Sequence, residues 1–86
     1  MPDPVREVRG IRRGSSPPEE VRAIIYEVEH GIRDTEHSCL IHCPEIFDTD
    51  KRIVGVDDDQ ALELSEMFVG MMFDHHEIDV VEVKAL

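Results

Sequence analysis

The spacing of apolar side chains along this chain switches between the two-residue repeat of a strand and the longer repeat of a helix, and the switches mark the elements. Residues 5–13 form a short run of β-branched and long side chains, ended by the turn-forming cluster Gly14-Ser15-Ser16-Pro17-Pro18. A strand is predicted there. In residues 19–29 two periods compete. Val21, Ile24, Ile25 and Val28 fall at the spacing of a helix face, behind a Ser16/Glu19 pair that imitates a capping box and a Pro17 suited to a first helical turn. Those same four residues are all β-branched, and Ile24, Tyr26 and Val28 alternate along an extended chain. The side-chain chemistry favours a strand.

Residues 30–35 carry turn chemistry and lead into residues 36–43. An extended backbone there puts Cys39, Ile41 and Cys43 on one face and Ser38, Leu40 and His42 on the other, before Pro44 ends the ladder. A second turn at residues 47–51 precedes a strand at 52–56. The helix start is then written out chemically. Asp57 can accept the N–H two or three residues on, Gln60 can reach back to the N–H of the cap, and Asp58 and Asp59 place negative charge where the helix dipole favours it. A calcium loop would need alternating oxygen ligands, a mid-loop glycine and a terminal Glu, and that spacing is absent. His75 and His76 suit the end of the helix, and Ile78, Val80, Val81 and Val83 allow a final strand. The pattern predicts one α+β domain over residues 1–86: an antiparallel meander of three to four strands packed on one helix at 57–73, with a short final strand at 78–83 and flexible ends at 1–4 and 84–86.

The predicted helix is apolar on more sides than one sheet covers. Leu62, Leu64, Met67, Phe68, Val69, Met71, Met72 and Phe73 span an arc of roughly 240°, against a little over 100° for a single core-facing stripe. The surplus must be covered by the chain itself or by a partner. Met67, Val69, Met71, Met72 and Phe73 are the expected interaction residues, and a homodimer through this helix is the expected use.

Charge adds a second asymmetry. The formal net charge is −11; residues 1–43 hold six Arg/Lys against eight acids, and residues 44–86 hold three against twelve. The second half should repel nucleic acid and attract a basic protein. The run Arg6, Arg9, Arg12, Arg13 reads as a solvated strand face. No apolar run approaches the ~20 residues of a membrane span, and the first residues lack the pattern of a signal peptide, so a cytoplasmic location is expected. There Cys39 and Cys43 would stay reduced.

The densest chemistry is His37-x-Cys39-x-x-His42-Cys43 together with His75 and His76. Zinc takes such donors in tetrahedral sets, so the metal candidates are His37, Cys39, His75 and His76. Cys43 lies some 13 Å along an extended strand from Cys39, and paired Cys-x-x-Cys motifs are absent. Zinc is therefore secondary to no cofactor at all. Catalysis is weaker still: His42 and Cys43 are adjacent in a strand and face opposite sides, and no phosphate-cradling loop occurs. The expected function is a non-catalytic protein-interaction module.

The Cys-bearing segment Ser38-Cys39-Leu40-Ile41-His42-Cys43-Pro44, followed by Gly55-Val56-Asp57 and Gln60-Ala61-Leu62, resembles a group of small uncharacterised bacterial α+β proteins over roughly residues 20–73. The resemblance implies strands first and a single long helix after them. It implies no activity.

Overall fold

The computed structural model describes residues 2–31 and 36–86. Its elements are β1 (Pro4–Arg12), β2 (Glu20–Tyr26), β3 (Glu29–His30), β4 (His37–His42), β5 (Lys51–Gly55), α1 (Asp58–His75) and β6 (Ile78–Ala85). Strand β4 is the hub of the sheet. Ile41 pairs with both Ile25 and Lys51, and Ser38 with both Glu29 and Val54, so β2 and β3 share one edge of β4 and β5 takes the other. Beyond β2 lies β1, and beyond β1 lies β6; every neighbour is antiparallel. The α+β class is as the pattern predicts, with α1 packed on an open antiparallel sheet. The ambiguous segment 19–29 is strand: β-branched side chains pack on a pleated surface, and Val21, Ala23 and Ile25 are buried in alternation.

The helix crosses one face of the sheet, from Gly55 at the end of β5 to Gly10 in β1. Its buried residues, Ala61, Ser65, Val69 and Phe73, recur every four positions and form a single stripe. Opposite them lie Val8, Val21, Ala23, Ile25, Cys39 and Ile41. Gly10 admits the far end of the helix, because a Cβ there would stand 3.0 Å from Phe73 and 2.5 Å from the Ile78 side chain. At that point β1 and β6 slip register: Arg9 pairs with Glu82 and Gly10 with Val80, leaving Val81 as the extra residue of a bulge.

The cap follows the sequence with one change. Asp57 Oδ1 accepts from the Gln60 N–H at 2.7 Å, but Gln60 Oε1 accepts from the N–H of Val56, the residue before the cap, at 2.8 Å. The helix runs two residues beyond the expected 73, and His76 closes it with its N–H directed to the Met72, Phe73 and Asp74 carbonyls. Glu77 then turns the chain in the left-handed region at φ 58°.

Two details differ from the expectation. The expected final strand is present, running from Ile78 to Ala85 along β1, and among the described residues the sheet counts six strands because Glu29–His30, at the start of the expected turn, adds the two-residue strand β3. The rest of that turn, residues 32–35, lies outside the described residues. At the end expected to be flexible over 84–86, Lys84 and Ala85 face Glu7 and Arg6, and the Leu86 N–H donates to the Val5 carbonyl; at the other, Pro4 pairs with Tyr26 and the Asp3 carbonyl accepts from the Glu27 N–H. Among the described residues, no helix is long and apolar enough to cross a membrane.

Candidate functional site

Two features of the surface stand apart from the packing. The first is a convergence of three metal-type donors at the start of α1. His30 and His37 are register partners across β3 and β4, and their rings meet edge to face with centroids 5.0 Å apart. Asp58, in the first turn of α1, reaches both: its Oδ1 lies 2.8 Å from His30 Nε2 and 2.7 Å from His37 Nδ1. One donor atom from each residue falls within 4.8 Å of the other two. The hydrogen bond from His37, and after it that from His30, pulls the Asp58 carboxyl below its usual range. His37 is mostly enclosed, with a side chain 17% exposed, while His30 and Asp58 are more than half open to solvent.

Of the metal candidates named from the sequence, only His37 belongs to this group. Cys39 follows it on the same face but is sealed in the core against Ser65, and burial pushes its thiol pKa up. His75 and His76 stand at the opposite end of α1, about 25 Å from Asp58 at 1.5 Å per residue. The set His37, Cys39, His75, His76 cannot close on one ion. His30 and Asp58 were missed because neither carries a sequence signal: one sits in a presumed turn, and the other reads as a helix-start charge. The usable signal is the hairpin itself, which makes His30 and His37 cross-strand neighbours.

The second feature is a shallow apolar groove of about 360 Å³ where β5 meets the helix, lined by Ile53, Leu64, Met67, Phe68 and Met71. Met67 and Met71 are each 62% exposed. The expected interaction set divides here. Val69 and Phe73 are buried in the chain's own core and Met72 is half-buried against it, so of this set Met67 and Met71 are the exposed members. The buried helical stripe takes up about half of the predicted apolar arc; Phe47, stacked on Phe68 at 5.7 Å, shelters part of the remainder.

No family model, curated protein or solved structure matches this chain.

The remaining candidates are occupied structurally. Cys43 is buried, its pKa is pushed up to about 11 chiefly by burial and then by Glu45, and His42 turns away to Asp50 at 2.7 Å. The arginine run is neutralised: Arg6 meets Glu66, Arg9 meets Glu20 and Glu82, Arg12 meets Glu19, and Arg13 meets Asp74 and Asp79. These arginines pair with the chain's own acids, Glu66 and Asp74 on α1 among them. They do not form an open basic patch.

Proposed function

We propose that this chain is a non-catalytic protein-interaction module whose receiving surface is the groove between β5 and α1. Its partner is a basic segment of another protein that inserts apolar side chains into that groove. The observation that carries this reading is the exposure of Met67 and Met71 at the groove, in a row of the helix that otherwise bears acids. Asp59, Glu63, Met67 and Met71 follow one another at i, i+4 spacing, and Asp74 continues the row. Exposed apolar patches rimmed by polar groups mark interaction surfaces, and thioethers adapt to irregular partners.

A basic partner fits better than a second copy. Residues 57–76 contain six acids and no Lys or Arg, so laying two such helices together would set carboxylate against carboxylate. Val69 and Phe73, which would widen a self-complementary face, are already inside. The test is a methyl NMR titration with a lysine-rich amphipathic helical peptide, using a lysine-rich peptide without apolar residues as control. The reading expects shifts of the Met67, Met71 and Ile53 methyls with the first peptide alone, and loss of the Ile53 shift in a Met67→Glu/Met71→Glu variant. Shifts centred elsewhere, or equal binding of the control, would refute it. Concentration-dependent dimerisation through these methionines would replace the basic partner with a second copy.

A further inference from the structure

We infer that His30, His37 and Asp58 form a binding site for a divalent transition-metal ion of the zinc class. The site is distinct from the groove, and its residues come from three elements: the second residue of β3, the first of β4 and the first of α1. Each is held by backbone structure. The two histidines are register partners, so the ladder fixes their spacing, and Asp58 follows the cap residue Asp57 on a helix whose first turn is pressed against Gly55. The donors therefore start close to the geometry an ion needs, with the hairpin and the helix carrying the cost of bringing them together.

The chemistry of the set is specific. Two imidazoles and one carboxylate, with no thiolate, are a three-ligand set that zinc uses when a fourth position is left to water, and imidazole suits cobalt, nickel and copper as well. With metal–ligand bonds of about 2.0–2.2 Å at tetrahedral angles, the donor atoms stand about 3.3 Å apart. The His–Asp separations of 2.7 and 2.8 Å need to open only slightly. That adjustment is available, because His30 and Asp58 are exposed side chains while His37 stays anchored. The helix N-terminus by itself disfavours a cation, and Asp58 with its neighbours Asp57 and Asp59 supplies the opposing charge. In the metal-free protein, both imidazoles can donate N–H bonds to Asp58 Oδ1. Ligation needs the lone pair of each of those nitrogens, so a neutral ring moves its proton to its other nitrogen as it takes the ion.

The experiment uses the full chain without an affinity tag, stripped with chelator and titrated with Zn²⁺ by calorimetry and with Co²⁺ by visible absorption. One ion per chain is expected, with the cobalt bands of a low-coordinate nitrogen–oxygen site and a higher melting temperature in the presence of zinc. His30→Gln and Asp58→Asn, both at exposed side chains, should each weaken binding by at least an order of magnitude, as should His37→Gln. A His75→Gln/His76→Gln variant should bind as the parent does. Should His37→Gln fail to fold, the two exposed variants still decide the matter. The site is overturned if no saturable 1:1 binding occurs, if His30→Gln and Asp58→Asn leave affinity intact, or if the loss follows His75 and His76 instead.

Discussion

The backbone of Ala61 lies so close to Gly55 that a Cβ on the glycine would stand 2.5 Å from the Ala61 amide nitrogen. The obstacle is main chain, which cannot swing aside as a side-chain tip can. Gly55→Ala should therefore destabilise the fold by about 1–3 kcal/mol, the range for overpacking a well-filled interior. Gly70 is the internal comparison: nothing lies within 4 Å of its missing Cβ, and it sits in mid-helix. Gly70→Ala should stabilise by about 0.5–1 kcal/mol. Urea unfolding of the two variants checks both signs.

Phe73 and Met71 are two residues apart, yet one is 1% and the other 62% exposed. Phe73→Ala should cost about 3–5 kcal/mol, because it removes a ring enclosed between helix and sheet. Met71→Ala should stay within about 0.5 kcal/mol. Chemical denaturation separates the core from the surface proposed to receive a partner.

On the acid side, Asp58 is held below its usual value by His37 and then His30, and Glu20 by Arg22. For a carboxyl depressed in the folded state, the stability is present above the unfolded pKa and is lost as pH falls through the folded one. The reference values are 3.8 for Asp58 and 4.5 for Glu20, so the loss should begin near those values and continue below them. Asp58→Asn should flatten the acid limb of a stability–pH curve measured by denaturant midpoints. Both groups are open to solvent, so added salt should shrink the effect.

The thiols give the opposite slope. Cys43 is raised from 9.0 to about 11 by burial and by Glu45. The unfolded chain then loses its proton first, and stability should decline as pH rises from about 9 to about 11. In native protein at mildly alkaline pH, Cys39 and Cys43 should react slowly with a disulfide reagent, and denaturant should release both. Fast native labelling would contradict their enclosure.

Much of the fold was legible because local chemistry and global packing agree. The Asp57 cap, the Gly14-to-Pro18 turn and the alternation in 36–43 each point to the element that forms. Residues 19–29 were harder, since apolar spacing alone fits helix and strand; branching at Cβ was the better guide. The length of β6 was not legible, because Val80, Val81 and Val83 remain exposed and carry no burial pattern to extend. The site was less legible than the fold. His37 could be named from composition, but its partners come from a cross-strand register and a helix start, which only the folded chain brings together.

Strand β6 gains its ladder from β1, so the outer edge of the first strand waits for the last. Arg6 lies opposite Ala85 and Arg12 opposite Ile78, pairings between residues separated by most of the polypeptide. The helix must deliver Ile78 to Gly10 before that ladder can close. Contacts so distant in sequence are gained late, after much chain entropy is spent, and slow the approach to the native state. Refolding should thus proceed in order, with the β2–β4–β5 hairpins and the helix assembling before the outer edge of the sheet zips shut.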